Sequence, residues 1–205
     1  MNAIDKSGIQ EAVEKVWSRL RIKPTIVRRG PVQLAPFMES YNLLHVALPS
    51  LSTSVVYDYL RKQGITPTDI GDEEKALAGF LYVTPSVGLA FVNASDPVPR
   101  QRFSAAHELG HYVLHRDQMH GVSFADTPEE IKLTVKQSNQ HEREANRFAV
   151  ELLMPEEVCK ERANAFRKAY KVWPRSPLSH HLAAELLVSG EAMKYRLEEL
   201  EVGDA

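Results

Sequence analysis

The sequence predicts an α+β fold that is mostly helical, with a small antiparallel sheet in its first half and a helix-turn-helix-like pair of helices at its end. Three observations carry this. Apolar residues recur at three- and four-residue spacing through most of the chain, the mark of helices with one buried face. Only two neighbouring runs, Ala76–Val83 and Gly88–Asn93, read as strands. A chain of 205 residues that is 43% apolar and 25% charged can also bury one sizeable core.

Taken in order, Ile9, Ala12, Val13, Val16, Trp17 and Leu20 form the stripe of a first helix, which Pro24 stops. Residues 30–50, with Pro31, Pro36 and Pro49, read as irregular. Ser52 is suited to cap a second helix that uses Val55, Val56, Tyr59 and Leu60 and ends at Gly64. The two strand-like runs follow, joined as a hairpin by Thr84-Pro85-Ser86-Val87. Pro97 and Pro99 introduce a helix from about Arg100 to His115, and Thr127-Pro128-Glu129-Glu130 has the form of a capping box. Another helix runs from about Asn139 to Leu153, where Pro155 ends it. Pro155-Glu156-Glu157 opens the next, which stops before Trp173-Pro174. Leu182–Leu187, the turn Val188-Ser189-Gly190 and Glu191–Leu200 complete the chain.

Lys plus Arg number 25 and Asp plus Glu 27, so at a formal −2 the whole chain has no electrostatic pull on nucleic acid or acidic membranes. Two segments depart from that balance. Residues 15–29 hold Lys15, Arg19, Arg21, Lys23, Arg28 and Arg29 with no acid, and residues 160–175 hold six basic residues and one acid. Each reads as a solvated face, with a local DNA contact as the sharper alternative. No apolar run is long enough for a membrane span or a signal-peptide core, which points to a cytoplasmic protein with no membrane partner. The single Cys159 excludes an internal disulfide framework and a Cys-rich zinc module. Any metal must be held by carboxylates and by some of the eight histidines.

His107-Glu108-Leu109-Gly110-His111 has the form HExxH. Residues four apart on a helix lie about 40° apart and one turn along, so both imidazoles can reach one Zn²⁺. Glu108 lies about 100° round from His107, beside the metal. There its carboxylate can take a proton from an activated water and pass it to a leaving amine. Two surface histidines on an ordinary helix would give the same five letters. The context is more telling, because Phe103, Ala106, Gly110, Val113 and Leu114 border the His face with an apolar stripe. Gly110 inside a helix costs about 1 kcal/mol relative to Ala, which a close-packed neighbour would explain.

A catalytic zinc takes three protein ligands and leaves one position open. The third is sought in His141-Glu142-Arg143-Glu144-Ala145-Asn146-Arg147-Phe148-Ala149. Projected on a helix, Glu142, Ala145, Asn146, Ala149 and Leu153 share a face, with Glu144 about 200° from Glu142. This favours Glu142 over Glu144, which stays open as the alternative. Small Ala145 and Ala149 would let two helices approach, and Asn146 could hydrogen-bond the outer nitrogen of a ligand histidine. His115 continues the spacing one turn too far to ligate and is expected to support the site or pack against it. His141 points sideways, and His45, His120, His180 and His181 have no metal spacing. Tyr112, Tyr82 and Arg147 are candidates by type for stabilising an oxyanion.

Further blocks accompany these residues. Gly79-Phe80-Leu81 leads into Phe91-Val92-Asn93, and Arg100–His115 carries the HExxH. Glu142–Pro155 contains EAN-x-FA, followed by Leu182-Ala183-Ala184-Glu185-Leu186 and by Val188–Leu197 with the form VS-x-x-AM-x-x-RL. From about Tyr57 to Val202 the chain resembles the ImmA/IrrE family of bacterial zinc metallopeptidases. The resemblance implies a zincin-like core, zinc on His107, His111 and a downstream Glu, and Glu108 as general base. It also implies site-specific cleavage of a helix-turn-helix repressor encoded nearby, in stress responses or mobile elements, with the hairpin near Gly79–Asn93 holding the substrate strand at its edge. On this reading the chain divides into a helical and irregular extension over 1–50, a metallopeptidase core over 51–155, and a helix-turn-helix-like region over 156–205.

Residues 1–50 have no match to the family core, and Leu187 stands where a Gly is common in such turns. Residues 155–205 hold eight Lys/Arg against nine Asp/Glu, which favours packing or substrate docking over DNA reading. The expected function is therefore a zinc endopeptidase acting on a transcriptional regulator. The alternatives are a non-catalytic zinc-containing regulatory or DNA-binding protein, or an antitoxin-like partner. Zn²⁺ follows from the His/His/Glu ligand type, although Mn²⁺ can enter such sites.

Overall fold

In the computed structural model the described residues are 6–24, 30–67, 74–116, 124–126, 140–170 and 175–202. The hairpin forms as its pattern predicts: β2 (Gly79–Val83) and β3 (Gly88–Asn93) pair antiparallel, with Val83 opposite Gly88. The sheet is larger and mixed, however, with strand order β1-β3-β2-β4. β1 (Leu43–Leu48) runs parallel to β3, and β4 (Phe124–Asp126) runs antiparallel to β2. The irregular reading of 30–50 is thus corrected, because α2 (Ala35–Ser40) and β1 both lie there. Pro36 sits in the first turn of α2, where no backbone donor is needed, and Pro49 falls just after β1 ends.

Along β2 and β3 alternate side chains enter two different cores. Phe80, Leu89 and Phe91 pack with Val56 and Leu60 of α3 (Thr53–Lys62), while Leu81, Ala90 and Val92 join the main core on the opposite face. That explains why these runs are apolar throughout instead of alternating: both faces of the hairpin are covered. Ser52 caps α3 by accepting a hydrogen bond from the Val55 amide at 3.4 Å. Gly64, at φ +77°, closes the other end, with the Gly64 and Ile65 amides donating to the Arg61 and Leu60 carbonyls.

The main core is helical. α1 (Lys6–Arg19) buries Ile9, Val13, Val16 and Trp17 against it, as its stripe predicts. α4 (Val98–His115) lies between the sheet and α5 (Gln140–Leu153) and is buried on all sides from Ser104 to Tyr112, more deeply than a single apolar stripe implies. A Cβ on Gly110 would lie 3.2 Å from the Ala145 backbone and 3.0 Å from Phe148, so this glycine sets how closely α4 and α5 approach. α6 (Glu156–Tyr170), α7 (Arg175–Leu186) and α8 (Gly190–Glu199) close the fold. Leu187, between α7 and α8, takes φ +51°, the left-handed conformation that favours Gly there, and Arg102 Nε donates to its carbonyl at 3.2 Å. The proposed capping box at Thr127–Glu130 lies outside the described residues.

Candidate metal centre

α4 and α5 meet so that His107, His111 and Glu142 face one another, their ligand atoms all within 4.8 Å. The two Nε2 atoms are 2.9 Å apart, and each lies 3.3 Å from an oxygen of Glu142. The separations match a shared ion, since tetrahedral bonds of about 2.0–2.1 Å hold ligand atoms roughly 3.3 Å from one another. With their inward nitrogens deprotonated, two imidazoles and a carboxylate would also be a donor set zinc accepts. Burial opposes ionisation of Glu142, yet hydrogen bonds and charge from the two histidines hold its carboxyl well below the usual carboxylate range. Both histidines are fully buried, and the Glu142 side chain is 12% exposed. These residues fit a divalent ion.

The neighbouring glutamate takes another place. Glu144 Oε2 lies 2.9 Å from His115 Nε2, one turn along α4 from His111, and Gln140 donates to its other oxygen at 2.7 Å. Both glutamates therefore reach α4, at two levels, and only Glu142 joins the His107–His111 pair. His115 is buried, and burial lowers its pKa to about 4, so it is neutral at pH 7. Its Nδ1 faces His111 Nδ1 at 3.2 Å, and the His141 ring lies 4.3 Å away, centroid to centroid.

Glu108 reaches toward the sheet. A Cβ on Gly79 would sit 2.1 Å from Glu108 Oε1, so the carboxylate is packed directly on the β2 backbone. One turn on, the Tyr112 ring occupies the equivalent space over Gly88 of β3.

Residues 61–198, about two thirds of the chain, match the sequence model of the IrrE N-terminal-like domain, Peptidase_M78. The chain belongs to the Peptidase_M78 family. This is a metallopeptidase family, and the match takes in α4 and α5 whole, with the His107–His111–Glu142 group they carry. No curated protein is similar enough to count as a match.

Other expected roles fare differently in this Peptidase_M78 chain. Asn146 is buried on the expected face of α5, but its side-chain oxygen makes no hydrogen bond among the described residues. The outer nitrogen of His111 faces His115 instead. Arg147 is bound to Glu151 and Glu199, away from the histidines, and the Tyr112 hydroxyl is buried without a partner among the described residues. Several basic residues are turned onto the protein itself. Lys15 pairs with Glu11, Arg19 donates to the Ser40 carbonyl, Lys160 pairs with Glu156, and Arg162 donates to the Gly30 carbonyl. No described helix is long and apolar enough to cross a membrane. What sequence reasoning missed is the contact of Glu108 with Gly79 and of Glu144 with His115; helical spacing flags neither, because each depends on how α4 meets another element.

Proposed function

We propose that this chain is a zinc-dependent endopeptidase that cuts a protein regulator, with a helix-turn-helix repressor as substrate. The observation that carries the reading is the convergence of His107, His111 and Glu142, with Glu108, the residue after His107 on α4, buried at 0% exposure. A zinc ion held by these three side chains supplies Lewis acidity toward a water molecule and the scissile carbonyl. Glu108 accepts the water's proton as the oxygen attacks, then returns it to the departing amine nitrogen. Packing against Gly79 orients that carboxylate and keeps bulk water from one side of it. The hairpin strands are interior to the described sheet, so a substrate strand would add to one of its edge strands, β1 or β4. The repressor follows from the family resemblance.

The test is direct. Purified protein loaded with Zn²⁺, mixed with the repressor encoded beside its gene, is expected to give one discrete cut that a chelator abolishes. An uncut repressor would overturn the substrate. A salt-dependent DNA affinity with no cleavage would favour the non-catalytic regulatory reading instead. Gly79→Ala supplies a second check. Its methyl group would displace the Glu108 carboxylate, so cleavage should fall about 100-fold with zinc content and cooperative unfolding retained. Unchanged cleavage in this variant would exclude a role for that packing.

A further inference from the structure

We propose that Glu144 is a positioning residue for His111, acting through His115, and thereby sets the metal affinity of the His107–His111–Glu142 group. The inference rests on that group being a metal site. Its starting point is a continuous row of contacts: His111 Nδ1 to His115 Nδ1 at 3.2 Å, then His115 Nε2 to Glu144 Oε2 at 2.9 Å. His115 is 3% exposed.

One arrangement of protons satisfies the whole row when His111 offers its Nε2 lone pair to an ion. The ring proton of His111 then resides on Nδ1 and is donated to His115. To accept that bond His115 must keep a lone pair on Nδ1, so its own proton is on Nε2 and is donated to Glu144. The opposite tautomer of His115 would set two N–H groups against each other and leave a nitrogen lone pair facing a carboxylate. The carboxylate therefore selects the tautomer of His115, and His115 in turn selects that of His111 and fixes its ring plane. A carboxylate or carbonyl usually does this directly to a ligand histidine, raising its basicity. Here an imidazole is interposed. Gln140, which donates to Glu144 Oε1 at 2.7 Å, steadies the far end. Because the row bridges the end of α4 and the N-terminal part of α5, it also holds together the two elements that carry the ligands.

Two near-isosteric variants separate this role from simple packing. Glu144→Met keeps the volume and helix propensity but accepts no hydrogen bond, whereas Glu144→Gln loses the charge and keeps an acceptor oxygen. By chelator competition, Glu144→Met should weaken zinc binding about 10- to 100-fold and Glu144→Gln should recover most of it. The visible absorption bands of the Co²⁺-loaded protein should shift in Glu144→Met and not in Glu144→Gln. Adding Glu144→Met to His115→Leu should weaken binding no further. Wild-type affinity and spectrum in Glu144→Met, equal losses in the two variants, or additivity with His115→Leu would each overturn the proposal. A wild-type protein that binds no zinc, or whose binding survives a His107→Ala, His111→Ala double substitution, would overturn the metal-site reading beneath it.

Discussion

Glu108→Gln is expected to abolish peptide hydrolysis while leaving zinc content unchanged. Glu108 is fully buried and is not one of the three facing donors, so its amide should cost the ion nothing. The isosteric amide fits the space beside Gly79 but cannot take a proton from water. General acid–base catalysis by a positioned group contributes roughly 10²- to 10⁴-fold, and the same carboxylate serves both proton transfers, so the loss should reach at least the upper figure. Single-turnover cleavage of the repressor, with metal analysis of the same sample, decides the matter. Retained cleavage would remove Glu108 from the mechanism, and lost zinc would make it a ligand. His111→Ala should differ by losing both metal and activity, because it deletes a donor 2.9 Å from its neighbour.

The helices of this chain were legible where apolar residues recur at helical spacing and a helix breaker follows. α1, α3 and α5 carry apolar residues at helical spacing, and their ends follow Pro24, Gly64 and Pro155 within a few residues. β1 was not legible, because its flanking prolines resemble breaks until the chain is seen to turn at them. It is also an edge strand with Leu44 exposed, and His45 interrupts its apolar run. Parallel pairing of β1 with β3 adds a reason, since its partner lies some forty residues on and no local turn announces it.

In the site, spacing within one helix was enough to place His107 and His111 on a common side and to prefer Glu142 over Glu144 on α5. What spacing cannot give is the distance between helices. That depends on Gly110 meeting the Ala145 backbone, and it is this close approach that lets Glu144 as well as Glu142 reach α4. Nor does spacing show that His115, on α4 itself, faces the outer nitrogen of His111.

A second large effect is expected far from the histidines, at Arg196. This side chain of α8 is 2% exposed, yet it carries a charge into the core. It donates to both oxygens of Glu151 at 2.5 and 3.2 Å, to Glu199 at 2.9 Å, and through Nε to the Met154 carbonyl at the end of α5. Removing one partner of a buried ion pair costs about 3–5 kcal/mol because the other charge is left uncompensated. Arg147 still pairs with Glu151, so Arg196→Met should fall near the low end, about 3 kcal/mol. Urea unfolding of the metal-free protein should show it as a lower midpoint at unchanged slope. Adding Glu151→Met should recover much of the loss, since an apolar pair leaves no charge stranded. Arg147→Met, whose side chain is 18% exposed, should cost about 1 kcal/mol or less. A wild-type midpoint in Arg196→Met, or a double variant weaker than either single one, would show that this ionic cluster does not tie α8 to α5.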